Sequence, residues 1–330
     1  MLQQMSRVRL PRDRESEGGC ISVFENRLAL VGDIVRMFTM TIAECGALAS
    51  VVEDDDSIVL PLDFTDVEDA LLVSRNEILV CDRSARTLLV LDVHTATLRK
   101  LQMAMKPLGM AVSARWGLVA VCGYCNGKDR SLLQFYRRDK DQWMLDRQCH
   151  LQGSVRISRL SFVHTNDPWP SSMLLFDLLG KPMMWAHFDW VRWQASVPLQ
   201  KCTSFSQEVW SMVEMTPGRQ WLATTECETY SLEITDKYTV SRRIEITWRS
   251  SARRTPLCMS MAMLPGIGCL SHVMHRFGHE FLYLHSGPEW RAMQGMSLLR
   301  VAWMATIHRS QYEFLGSMNP YHQLVPAQKK

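Results

Sequence analysis

Apolar and polar positions alternate in short blocks along most of the chain, and the clearest blocks fall in residues 75–101, RNEILVCDRSARTLLVLDVHTATLRKL. Glu77–Asp82 (EILVCD) and Thr87–Asp92 (TLLVLD) are aliphatic and β-branched runs of strand length, each stopped by an aspartate. The polar tract Arg83–Arg86 between them is short enough for a hairpin. Leu88–Leu91 is apolar without interruption, not at helical spacings of three and four, which predicts a strand buried on both faces. Thr and Ala at 95–97 supply a second turn and then a third strand, so the stretch reads as an antiparallel meander.

The same order of strand, polar turn, strand, polar turn, strand recurs. From Arg115 it runs through Leu118–Cys122, Leu132–Tyr136 and Trp143–Arg147, and further copies start at Ser171, Gly218, Ile267 and Asn26. One more strand candidate precedes each copy but the N-terminal one: Val67–Ser74, Leu108–Ser113, Ile157–Val163, Val209–Thr216 and Leu257–Leu264. Four strands per unit follow. The N-terminal copy lacks its first strand, while a surplus strand, Leu298–Thr306, stands near the other end. The expectation is that this C-terminal strand completes the N-terminal sheet and closes a ring without free edges.

The stretch NEILVCDRSARTLLVLDVHTATLRKL resembles a blade of the NHL, YVTN or WD40-like β-propeller families, and the weaker copies extend the likeness over residues 20–308. The WD40 Gly-His and Trp-Asp pairs and the kelch Gly-Gly pair are missing, so no particular family is assigned. The resemblance implies an all-β fold, and counting the repeated units gives six blades, or seven if the N-terminal region forms a complete blade of its own. Residues 1–19 read as a disordered tail and 309–330 as a C-terminal extension.

Composition narrows the setting. A formal charge of +3 with 22% charged residues gives no overall pull toward nucleic acid or an acidic membrane. The first nineteen residues lack the apolar core of a secretory signal, and Asp33, Arg36 and Glu44 interrupt the longest apolar stretch, which argues against a membrane span. Ten scattered cysteines without such a signal point to free thiols in a reducing compartment, cytoplasmic or nuclear, and a monomeric ring is expected.

Candidate chemistry is sparse. Cys122 and Cys125 have redox spacing but precede Asn126-Gly127 and a strand, not the helix that thioredoxin-like sites need. Cys269, His272, His275 and His279 are weak metal-ligand candidates, because alternation along a strand sends Cys269 and His272 to opposite faces. Trp185, Trp190 and Trp193 could stack on a ligand, but large flat side chains between blades are core. The acidic run Glu53–Asp56 and the basic residues Arg83, Arg86, Lys128, Arg130, Arg249, Arg253, Arg254 and Arg276 all fall in connections that share one face of a propeller. That face is expected to take a protein or peptide partner, acidic or phosphate-bearing. The innermost strands contribute Arg159, Glu214 and Arg300, with Glu68 and Asp69 at the start of the first, and no histidine or calcium-binding carboxylate set. The sequence therefore favours a non-catalytic scaffold without cofactor. A metal-dependent hydrolase or lactonase propeller is the alternative.

Overall fold

The structure is a computed structural model that describes residues 8–9, 302–305 and most of 19–286, apart from short connecting segments. In chain order, β1 is Val8–Arg9, and a first sheet follows with β2 (Cys20–Phe24), β3 (Arg27–Val31), β4 (Ile34–Ile42), β5 (Leu48–Glu53) and β6 (Ile58–Val59). The second sheet holds β7 (Val67–Leu72), β8 (Glu77–Asp82), β9 (Thr87–Asp92) and β10 (Thr97–Gln102). The third holds β11 (Lys106–Ser113), β12 (Leu118–Tyr124), β13 (Ser131–Asp139) and β14 (Gln142–His150). In the fourth, β15 (Ile157–Phe162), β16 (Ser172–Asp177) and β17 (Pro182–Asp189) precede two short outer strands, β18 (Gln194–Ala195) and β19 (Gln200–Ser204). The fifth holds β20 (Val209–Thr216), β21 (Gln220–Thr225), β22 (Glu228–Asp236) and β23 (Thr239–Thr247). The last contains β24 (Leu257–Leu264), β25 (Gly268–His275), β26 (His279–Ser286) and β27 (Ala302–Ala305). All pairings are antiparallel, and β2, β7, β11, β15, β20 and β24 adjoin one another in a closed cycle. This is a β-propeller.

Two expectations change. The C-terminal strand does not enter the N-terminal sheet: β27 lies along β26, and β1 lies along the same strand with Val8 opposite Leu282. No vacancy exists in the first sheet, because Cys20–Phe24 (CISVF) supplies its innermost strand immediately before the Glu25-Asn26 turn. Five blades are thus each made from one uninterrupted stretch, while the remaining sheet draws on both ends of the chain. That arrangement replaces the expected six or seven like units. Of the expected tail, Val8–Arg9 and Gly19 are described, and Val8–Arg9 is a strand.

The apolar runs explain why the sheets stack. In β8, Ile78 and Val80 pack toward the first sheet with Ala29, Val31 and Met37, while Leu79 and Cys81 pack toward the third with Val119 and Val121. In β9, Leu89 and Leu91 face the first sheet and Leu88 and Val90 the third. A middle strand covered on both sides needs apolar residues at every position, as expected for Leu88–Leu91. The outer β10 is mostly exposed and reads TLRKLQ. Each fully buried leucine contributes about 1.5–3 kcal/mol.

The aspartates that stop each run close the turns. Asp82 Oδ1 accepts the Ala85 amide at 2.8 Å, and Asp92 Oδ1 accepts the His94 and Thr95 amides at 2.9 Å each. These local hydrogen bonds offer the backbone a turn in place of a continued ladder. Arg86 and Ala96 close the two turns in the left-handed region, at φ 54° and 53°.

A belt of hydrogen bonds on the innermost strands joins the blades. β7, β11, β15, β20 and β24 each carry a bulge at the same level, between Val67 and Asp69, Pro107 and Gly109, Ile157 and Arg159, Val209 and Ser211, and Cys258 and Ser260. The residue after each bulge meets the next sheet. Asp69 Oδ2 accepts the Met110 amide at 2.7 Å, Arg159 Nε donates to Trp210 O at 2.6 Å, and Ser211 Oγ accepts the Met261 amide at 3.1 Å. Ser260 Oγ accepts the Ile21 amide at 2.8 Å and so ties the last sheet to the first. Cys20, at the corresponding place in β2, donates its thiol to Glu68 O at 3.6 Å. At Gly109 the backbones approach so closely that a Cβ would lie 2.5 Å from Ser158 O.

Two substitutions test this packing. Gly109→Ala should destabilise the protein by about 1–3 kcal/mol through overpacking between the third and fourth sheets, read as a lower denaturant midpoint. Ala96→Gly, on an exposed turn, should stabilise the protein by about 1 kcal/mol, read as a higher denaturant midpoint, because glycine carries no left-handed penalty.

Candidate functional site

The axis of the wheel gathers three of the charges that the sequence placed on the innermost strands, Glu68, Asp69 and Arg159; Glu214 lies at the far end of β20, and Arg300 lies outside the described residues. The guanidinium of Arg159 sits among three blades: Nη1 donates to Leu108 O at 2.5 Å and Ser158 O at 2.7 Å, while Nε serves Trp210 O. These acceptors are the carbonyls of the bulged residues, turned out of the ladder by the extra residue. Asp69 accepts two amides, from Ala70 at 2.9 Å and from Met110. Cys20, Glu68, Asp69, Arg159, Trp210 and Ser211 all keep some accessible surface, although the strands on either side enclose them.

Burial sets the electrostatics. It raises the Asp69 and Glu68 carboxyls above the usual range, against the opposing pull of Arg159 on Asp69 and of Arg83 and Arg159 on Glu68. The Cys20 thiol is pushed up to about 12, mainly by burial and then by Asp69. Burial raises Cys122 too, so it stays a thiol at neutral pH and lacks the thiolate that redox exchange needs. Cys122 is buried on β12 and Cys125 is half-buried just beyond it; both are free thiols.

Beside the start of β7, Arg83 binds Asp66 at 2.8 Å and Glu68 at 2.6 Å, and Ser84 Oγ donates to Asp66 at 2.8 Å. The β8–β9 turn and the connection before β7 therefore share a face, as the sequence implied. Arg83 is held by this chain's own carboxylates. Arg86 has no ion-pair partner among the described residues; its carbonyl accepts the Met103 amide at 2.9 Å. Lys128, Arg130, Arg249, Arg253, Arg254 and Arg276 lie outside the described residues.

The other candidates separate. His275 stands opposite His279 at the β25–β26 turn, His272 stands opposite Leu282, and Cys269 is buried opposite His285. Among the described residues no three His, Cys, Asp or Glu side chains form a metal-binding group. Trp185 is buried against Trp221 and Tyr230 in the core between the fourth and fifth sheets; Trp190 and Trp193 lie outside the described residues. The acidic run is not a bare rim. Glu53 takes Arg36 through two bonds of 2.8 and 2.7 Å, and Asp54 binds Arg27 at 2.5 Å and Thr39 at 2.9 Å. Arg27, Thr39, Asp54, Arg75 and Asn76 line a polar cleft of about 650 Å³ between the first two sheets.

One cluster was absent from the sequence reading. At the far end of the innermost strands, Ser113 Oγ lies 3.0 Å from His164 Nε2, and His164 Nδ1 contacts Glu214 Oε2. The order serine, histidine, carboxylate is that of a nucleophile relay. Its setting differs. Ser113 is fully buried, the Trp116 ring stacks on His164 at 5.1 Å, and Glu214 Oε1 accepts the Gly218 amide at 2.6 Å. Gly218, at φ +68°, packs so tightly that a Cβ would fall 1.9 Å from His164 O. The cluster is a strut across the third, fourth and fifth sheets.

Neither a protein-family model nor any curated protein sequence matches the chain. Solved structures do resemble it. A protein from Lactobacillus plantarum aligns at TM-score 0.52 and 10% identity over 82% of this chain and 81% of its own. Hydrazine synthase from Kuenenia stuttgartiensis aligns at TM-score 0.53 and 11% identity over 88% and 84%. At such identities the likeness is one of fold alone, and it agrees with the propeller built from the strands above.

Proposed function

We propose that the wheel is a non-catalytic binding scaffold for a protein or peptide, with the face that carries the β8–β9 turn as its contact surface. The observation that carries this reading is the engagement of the polar groups near the axis. Asp69, Arg159, Ser211 and Ser260 bond to neighbouring blades, and Arg83 is held by Asp66 and Glu68. Catalysis would need such groups turned toward a substrate. Arg83 then organises the surface, and the partner's acidic or phosphate groups meet Arg86, Lys128, Arg130, Arg249, Arg253, Arg254 and Arg276. The free thiols fit a reducing cytoplasm or nucleus.

A hydrolase is the second reading, favoured by the Ser113–His164–Glu214 order. The buried Ser113 counts against it, and a fluorophosphonate probe separates the two: the scaffold predicts no labelling of Ser113, whereas a hydrolase predicts labelling lost in Ser113→Ala.

The surface itself is tested by fluorescence anisotropy with a polyglutamate peptide and a phosphoserine peptide library. Wild type should bind at least one of them, and the double variant Arg253→Glu, Arg254→Glu should bind it at least ~10-fold more weakly, about 1.4 kcal/mol. Binding unchanged in the variant, or none by wild type, contradicts the proposed face.

A further inference from the structure

The cleft between the first two sheets is open, polar and about 650 Å³ in volume, a size usual for small-ligand sites. Its carboxylates are already engaged. Both oxygens of Glu53 take the Arg36 guanidinium, and Asp54 takes Arg27 on one oxygen and the Thr39 hydroxyl on the other. Its donors are not. The Arg75 side chain, in the β7–β8 turn, is 61% exposed and donates no hydrogen bond among the described residues; Glu25, equally exposed, stands 3.8 Å from its Nε. Asn76 gives its side-chain oxygen to Arg27 Nη1 at 3.0 Å, which orients the amide and leaves Nδ2 without a partner among the described residues. Arg27 is mostly buried beneath them. It holds Arg75 O and Asn76 with Nη1 and Asp54 with Nη2, and its buried Nε donates to nothing among the described residues.

What is left over selects the ligand. Unused donors call for an acceptor, and a guanidinium beside a primary amide suits a carboxylate, which can take the arginine fork on its two oxygens. A doubly charged phosphate fits less well, since Glu25, Glu53 and Asp54 already balance Arg27, Arg36 and Arg75 around the cleft. Val52, which also lines the cleft, is 46% exposed and offers an apolar contact. A carboxylate carried next to an aliphatic group meets both.

We propose that this cleft binds a singly charged carboxylate attached to an aliphatic group, the acid on Arg75 and the Asn76 amide and the aliphatic group on Val52. The same chemistry occurs in a branched aliphatic acid and at the carboxyl end of a peptide. The β7–β8 turn lies at the opposite end of β8 from the β8–β9 turn, so the cleft is separate from the peptide-binding face and stands whether or not that face is correct.

Isothermal titration of the full chain with 4-methylpentanoate and with N-acetyl-leucyl-leucine tests it, against the amide of each, acetate and inorganic phosphate. At least one of the two acids should bind, at least ~10-fold tighter than its own amide, acetate or phosphate, and the tighter acid identifies the source. Arg75→Gln should weaken that binding at least ~10-fold, whereas Glu25→Gln, which removes the competing carboxylate, should tighten it about 2-fold. Both side chains are exposed in turns, so both variants should keep the wild-type denaturant midpoint, and a merely structural Arg75–Glu25 pair predicts no such opposite effects. The proposal is overturned if neither acid binds, if an amide, acetate or phosphate binds as tightly, if Arg75→Gln binds like wild type, or if Glu25→Gln binds more weakly.

Discussion

The wheel depends on a belt of side-chain and backbone bonds around its axis. No hydrogen-bonded ladder runs from blade to blade in a propeller, so apolar packing must supply adhesion and something directional must fix the register. Here the directional element repeats at one level of the innermost strands, where bulges present carbonyls and short polar side chains to the next sheet. The partners stand 41 to 51 residues apart for Asp69 with Met110 and for Arg159 with Leu108 and Trp210. That separation is the repeat length itself, so each bond joins one unit to its neighbour. At the seam the same geometry spans 239 residues, from Ile21 to Ser260.

Local chemistry was therefore readable and long-range chemistry was not. The runs EILVCD and TLLVLD, their Asp-closed turns and five of the innermost strands were visible because period-two burial and turn residues act over a few positions. The innermost strand of the first sheet was missed, since CISVF is short and follows a polar stretch that carries no pattern. Missing it made the first sheet look incomplete and sent the C-terminal strand to the wrong partner. A usable signal existed: each innermost strand has a small or polar residue followed by an apolar one, in Cys20-Ile21, Asp69-Ala70, Gly109-Met110, Arg159-Leu160, Ser211-Met212 and Ser260-Met261.

The same limit governs the site. Arg83 looked like an available cation because Asp66 and Glu68 lie 17 and 15 positions before it, and only the fold brings them within 2.8 and 2.6 Å. Ser113, His164 and Glu214 looked unremarkable as single residues at the ends of separate strands, yet the ring stacks them into one strut. At the axis Arg159 joins three blades through backbone carbonyls that lie 51 residues away on either side and one position before it. Buried polar networks of this kind hold one arrangement firmly only while each member is satisfied.

The most direct measurement of the central claim is amide hydrogen exchange at Ile21 in wild type and in Ser260→Ala. If the belt closes the ring, Ile21 is strongly protected in wild type, and loss of the Ser260 hydroxyl accelerates exchange at Ile21 and along β2 and β24 while Leu79 in β8 is unchanged. Equal protection of Ile21 in both proteins would contradict it.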